Sequence, residues 1–196
     1  MLFFDLDGTL IDSNSVWKEV DRTFLERRGL PYTKEYYQGV AHTIFPLAAK
    51  FTKEFCHLPE SCEEIMAEWM DLSKDAYAHV TVKPGVRAYL KQCKAEGRRM
   101  AVVTSSIPDH CNTALEHLDL AKYFERITFA QSLGLEKKGP EIWLRAAADA
   151  GVEPETCTMF DDSIAACRGA RLARMRTVGV YDSFFAADER EMRSFC

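Results

Sequence analysis

The feature that most constrains this 196-residue chain is a change in the period of its apolar residues. From about residue 14 to 79 the spacing is helical. Val16, Val20 and Phe24 recur every four residues, and Ile65, Trp69, Leu72 and Ala76 recur at alternating four and three. Ser61 followed by Glu64 predicts a capping box opening the last of these helices, and Pro31, Pro46 and Pro59 divide the region into pieces. After Lys83-Pro84-Gly85 the texture becomes strand alternating with helix. Strands are predicted over 100–103, 126–129, 156–160 and 177–180, with helices over 109–118, 141–150 and 164–173. Such alternation predicts an α/β fold, a doubly wound parallel sheet with helices on both faces. The short apolar run at residues 1–5 joins it, so the expected organisation is a core from 1–13 and 81–196, with a helical cap domain, 14–80, inserted between them.

At this length, with 47% hydrophobic residues, the chain can bury a core without disulfides or a structural metal. Its seven cysteines are an odd, scattered set with no C-x-x-C pair, which speaks against a zinc site or a disulfide framework. The apolar opening, Met1 to Asp5, is too short to read as a signal peptide and no uncharged stretch approaches membrane-spanning length, so a soluble cytoplasmic protein is expected. A net charge of −5 with mixed signs speaks against nucleic acid as a partner. An anionic substrate would need a local source of positive charge.

In open parallel sheets, ligands bind beyond the carboxyl ends of the strands. Here Leu2-Phe3-Phe4 is followed by Asp5, Ala101-Val102-Val103 by Thr104, and Thr158-Met159-Phe160 by Asp161-Asp162. Three carboxylates and a hydroxyl would share one sheet edge. Like charges in contact repel by roughly 4 kcal/mol in a moderately polar site. A divalent cation relieves this, and oxygen-only ligation favours magnesium over zinc.

Asp5-Leu6-Asp7-Gly8-Thr9-Leu10 resembles the first signature of the haloacid dehalogenase superfamily. Val102 to Ser106 resembles its second, Lys137-Lys138-Gly139-Pro140-Glu141 its third and Phe160-Asp161-Asp162-Ser163 its fourth. Order and separation agree across nearly the whole chain, and the helical insertion resembles the branch of β-phosphoglucomutase and phosphoglycolate phosphatase. The resemblance implies a phosphatase acting on a small phosphorylated metabolite. Asp5 would be the nucleophile that forms an aspartyl phosphate, Asp7 the general acid and base, Thr104 a phosphoryl-oxygen ligand and Lys137 the fixed cation. The family's lysine precedes a Pro-x-Pro run. Lys138 stands in place of the first proline, and counting back from Pro140 selects Lys137. Mg²⁺ would be held by Asp5, the carbonyl of Asp7, Asp161 and Asp162. Leu6, Ser105, Ser106 and Lys138 are expected near the substrate, as are Trp17 and His42 of the cap.

Each residue also has a plainer reading: Asp5 ends a strand, Asp7 forms a turn, Thr104 satisfies a carbonyl, and Asp161 or Asp162 caps a helix. Asp7 separates this chain from dehalogenases, which lack that second aspartate, and a non-catalytic module would show a decayed motif. A phosphomutase keeps every core motif and remains the alternative. In β-phosphoglucomutase, a cap arginine grips the distal phosphate and an early cap histidine couples closure to acid-base chemistry, features that delay attack by water. The corresponding positions here are His42 and Trp17, which favours hydrolysis, with Lys50 or Lys53 as possible substitutes for the arginine. Hinges are expected at Asp12-Ser13-Asn14 and at Val80 to Pro84. Substrate identity and oligomeric state are not legible. Relatives often continue with a further strand where this chain ends, at Cys196.

Overall fold

The computed structural model describes residues 1–41 and 43–196. His42, expected at the cap's substrate side, lies outside the described residues. The core is a five-stranded sheet in the order β5-β4-β1-β6-β7, with all pairings parallel. Its strands are β1 (Leu2–Phe4), β4 (Met100–Thr104), β5 (Ile127–Phe129), β6 (Thr158–Asp161) and β7 (Arg176–Gly179). Helices α5 (Val86–Ala95), α6 (Pro108–His117), α8 (Glu141–Ala150) and α9 (Ile164–Leu172) cover it, with a single turn α7 (Ala130–Leu133) and a terminal helix α10 (Glu189–Phe195).

Successive residues of a strand point to opposite faces, and the core divides accordingly. Leu2, Phe4 and Val102 pack with Leu90, Cys93, Cys111 and Leu115 of α5 and α6. Phe3, Ala101, Val103 and Met159 pack with Trp143, Ala146, Cys167 and Ala170 of α8 and α9. Both faces are buried, so the strands read as continuous apolar runs. Helix α5 was not predicted. Its Val86, Leu90 and Cys93 stand at helical spacing and pack against the sheet, a short stripe that the sequence reading passed over.

Between β1 and α5 lie four helices, α1 (Asn14–Glu26), α2 (Lys34–Val40), α3 (Phe45–Cys56) and α4 (Cys62–Tyr77). They share a separate core of Val20, Phe24, Leu25, Tyr36, Ala48, Ala49, Ile65 and Trp69. The Ser61 and Glu64 capping box opens α4 as the sequence predicts. The two connections to the sheet pair as a short antiparallel ribbon, β2 (Ile11–Asp12) with β3 (Thr81–Val82). The expected hinge segments therefore hold each other. Lys83 fastens this ribbon by donating to the Gly8 carbonyl at 2.6 Å and to Asp182 Oδ2 at 2.6 Å. Among the described residues, no helix is long and apolar enough to cross a membrane.

Candidate active site

The parallel register sets Phe4 beside Phe160 on one side and Val102 on the other. Continuing each strand brings Asp5, Asp161 and Thr104 to one edge. Oxygens of Asp5, Asp161 and Asp162 lie within 4.8 Å of one another, and all three residues are buried. The Lys137 ammonium is buried among them, donating to Asp5 Oδ1 at 2.6 Å and to Asp161 Oδ2 at 2.8 Å. Lys138 points outward and pairs with Glu136 at 2.7 Å, so of the two lysines it is Lys137 that enters the acidic cluster. Gly169 makes this possible, because a Cβ there would stand 2.1 Å from the Lys137 carbonyl. The small residue lets α9 lie against the backbone that carries the lysine.

Burial raises the Asp5 carboxyl well above its usual range; Lys137 opposes this, and the neighbouring aspartates add to it. Attraction from Asp161 and Asp5 outweighs desolvation at Lys137 and pushes its ammonium up. Asp161 Oδ1 also accepts the Ser163 N–H at 2.9 Å. Asp162 has no such cation. Its Oδ2 accepts the Asn14 amide at 2.8 Å, and burial, with Asp161 next to it, pushes its carboxyl up to about 7. Gly8, at φ +77°, makes this pairing possible, because a Cβ would fall 2.1 Å from Asp162 Oδ2 and 2.2 Å from Asn14 Nδ2.

Asp7 stands apart from the cluster and belongs to a different network. Its Oδ1 accepts the Ser13 hydroxyl at 2.6 Å and the Tyr77 hydroxyl at 2.5 Å. Tyr77 in turn accepts the Trp17 indole N–H at 2.7 Å. Burial and the Asp7 charge push the Tyr77 phenol well up, so it stays a donor. Thr104 is fully buried, and its Oγ1 accepts the Ser106 N–H at 2.9 Å. Thr104, Ser105, Ser106 and Ile107 run into the start of α6, where backbone N–H groups and the helix dipole suit an anion.

A cavity of about 190 Å³ separates this edge from the cap. Asp5, Asp7, Thr104, Ser105, Ser106, Lys137, Lys138, Asp161, Asp162 and Trp17 all line it. Leu6 does not. It is wholly buried in the core cluster, contrary to its expected place beside substrate, because the residue between two site aspartates faces the other way. The cap wall is mainly aromatic, with Asp21 and Lys18 as its charged members. Sequence reasoning gave Ser13 and Asn14 only as hinge residues and missed Tyr77, Lys83 and Asp21 as polar groups of the site. A polar pair closing the turn after Asp5-x-Asp-Gly could have signalled Ser13 and Asn14. Tyr77 is 70 residues from Asp7 and carries no local signal.

The sheet, the carboxylates at its strand ends, the loop lysine among them and the helices above them define a hydrolase with a carboxylate-based site. The chain matches the haloacid dehalogenase-like hydrolase family over residues 2–180 and belongs to it. It is 28% identical over 184 residues to the phosphorylated carbohydrates phosphatase of Thermotoga maritima, covering 93% of this chain and 85% of that one. It is 30% identical over 185 residues to the phosphoglycolate phosphatase of Nitrosococcus oceani, covering 91% and 82%. The crystal structure of β-phosphoglucomutase from Clostridium difficile shares the fold with a TM-score of 0.81 at 22% identity, covering 92% and 84%. The chain is an enzyme of the phosphatase type within its family.

Proposed function

We propose that this enzyme is a Mg²⁺-dependent phosphatase that hydrolyses a small phosphorylated metabolite through a phosphoryl group carried on Asp5. The supporting observation is the cluster at the sheet edge: three buried carboxylates lie together with one ammonium, which pairs with two of them, and all the ligand atoms they offer are oxygen. Three negative charges against one positive leave two uncompensated, which one divalent cation balances. Asp5, Asp161, Asp162 and the Asp7 carbonyl would hold it, and the oxygen donor set suits magnesium. When bound, the ion supplies positive charge to the phosphoryl oxygens and lets the carboxylates stay ionised.

In this reading the 14–80 segment is a cap domain over a core made of 1–13 and 81–196. The Asp5 carboxylate attacks phosphorus; the phosphoester bond breaks, and the leaving oxygen takes its proton from Asp7. Asp7, now ionised, takes a proton from the water that attacks the aspartyl phosphate, which releases phosphate and restores both carboxyls. Lys137 keeps Asp5 ionised and aimed, while Thr104 and the N–H groups of residues 105–107 position the phosphoryl oxygens. The cap excludes bulk water and faces the leaving group.

Hydrolysis is favoured over mutase chemistry by the cap wall. A mutase must grip a distal phosphate there, yet among the described residues the one cap cation lining the cavity is Lys18, an exposed side chain whose ammonium sits 5.9 Å from the Phe184 ring centre. The test is phosphate release from a panel of phosphorylated metabolites with and without Mg²⁺, including β-glucose 1-phosphate with a trace of bisphosphate. Metal-dependent phosphate release is expected. Full activity in excess chelator would overturn the reading, as would glucose 6-phosphate forming faster than free phosphate.

A further inference from the structure

Asp7 is held by residues at the two junctions between the core and the inserted helices. Ser13 sits just before α1, and Tyr77 is the last residue of α4. Both hydroxyls donate to the same oxygen, Oδ1. A hydroxyl has one proton to give: Tyr77 accepts the Trp17 indole N–H, which can only donate, and gives its own proton to Asp7 Oδ1. Two converging donors make Oδ1 the acceptor oxygen of the carboxyl, and the mobile proton is left to Oδ2.

We propose that Tyr77, oriented by Trp17, is a positioning residue that fixes which oxygen of Asp7 carries the catalytic proton. This rests on the reading of Asp7 as general acid and base. In phosphoryl transfer, the P–O bond to the leaving group breaks as the bond to Asp5 forms. The proton on Oδ2 passes to the departing oxygen, and the charge left on Asp7 is accepted at Oδ1 by the Ser13 and Tyr77 hydroxyls. The next proton, taken from water, returns to Oδ2. No other reactant is needed. The Tyr77 ring packs edge-on against His110 at 4.4 Å and against Trp17 at 5.9 Å, so the hydroxyl is held by rings that a phenylalanine would keep.

An acid matters in proportion to how badly the leaving group needs a proton, and this separates a role in proton placement from a role in packing. The Mg²⁺-loaded enzyme would be assayed for kcat/KM on a series of monophosphates, from p-nitrophenyl phosphate through phenyl phosphate to alkyl phosphates. With Tyr77→Phe, the loss is expected to be about tenfold greater at the alkyl end than for p-nitrophenyl phosphate, the effect of one hydrogen bond to an ionised group. Trp17→Phe, which keeps a ring and removes the N–H, should shift the series the same way by about threefold, the effect of a neutral hydrogen bond. Equal losses along the series in both variants, or no loss, would overturn this inference alone. If the wild-type enzyme releases phosphate from none of the series, the phosphatase reading falls and this inference falls with it.

Discussion

Two groups of carboxylates face the same cavity from opposite sides, and they are treated differently. On the core side, Asp5 and Asp161 share Lys137, Asp161 takes a backbone N–H, and Asp162 takes the Asn14 amide. On the cap side, Asp21 has one hydroxyl partner, Tyr36 at 3.4 Å, and that hydroxyl also lies 3.0 Å from Thr52. No ion pair is formed by Asp21 among the described residues, and the Trp69 indole N–H, also part of the cap wall, has no partner. The core side is finished before substrate arrives, as chemistry that depends on preorganised charge requires. The cap side keeps unmet hydrogen-bonding capacity amid aromatic rings, which suits recognition of a neutral, hydroxylated leaving group better than an acidic one.

Loss of the nucleophile strikes the core side hardest. Asp5→Asn is nearly isosteric and is expected to cut turnover by at least about a thousandfold, with the fold retained by circular dichroism, since a missing nucleophile cannot be bypassed. Any larger residual activity would show that the cluster is not where the phosphoryl group is taken up. Lys137→Met should inactivate as well, and it carries a stability cost. Removing one partner of a buried charged set typically costs about 3–5 kcal/mol. That loss should be read from urea unfolding at pH 8 without metal and should shrink toward pH 5, where the stranded carboxylates can take up protons. A variant as stable as wild type at pH 8 would mean that Lys137 does not neutralise the cluster.

The same contrast explains what could be read in the sequence. The core site was legible because strand ends on a parallel sheet fall at one edge whatever the loops do, so Asp5, Thr104 and Asp161 needed only apolar runs to be found. Lys137 needed the family's spacing, since it comes from a loop after α7. The capping box at Ser61 was legible because it is local. Asp21 and Tyr77 were not, because on a helix every fourth residue faces the same way and only tertiary packing says which face meets the substrate. Leu6 was misplaced for the opposite reason, a motif position taken as a site position although strand alternation sends it into the core.

Metal should sharpen the contrast in a pH-dependent way. The Asp162 carboxyl stands at about 7 in the metal-free fold against 3.8 when free, burial being the main cause. Between those values the folded chain holds more protons than the unfolded one, so this group's contribution to stability falls as pH rises from about 4 to 7. A divalent cation replaces the proton. The rise in Tm on adding Mg²⁺ is therefore expected to be larger at pH 8 than at pH 5, and Asp162→Ala should remove most of it. Calorimetry at the two pH values checks this, and an equal rise at both would separate Asp162 from the metal.

The smallest effect expected is on the cap side. Burial pushes the Asp21 carboxyl up to about 7 from 3.8, with the Tyr36 hydroxyl pulling the other way. The sign is again that of a raised acid: stability from this group is present at low pH and is lost as pH rises through about 7. Asp21→Asn removes that loss, so the variant should gain stability relative to wild type between pH 5 and pH 8. The side chain is only half-buried, and screening limits the gain to about 1 kcal/mol. Paired urea titrations of the two proteins isolate it, because the contribution of Asp162 is common to both. Specificity should move with it. The Asp21 charge disfavours a leaving group that carries its own carboxylate, so in Asp21→Asn the kcat/KM for phosphoglycolate relative to a hexitol phosphate is expected to rise by about tenfold. A gain in stability without a change in that ratio would leave Asp21 a half-buried acid with no part in choosing the substrate.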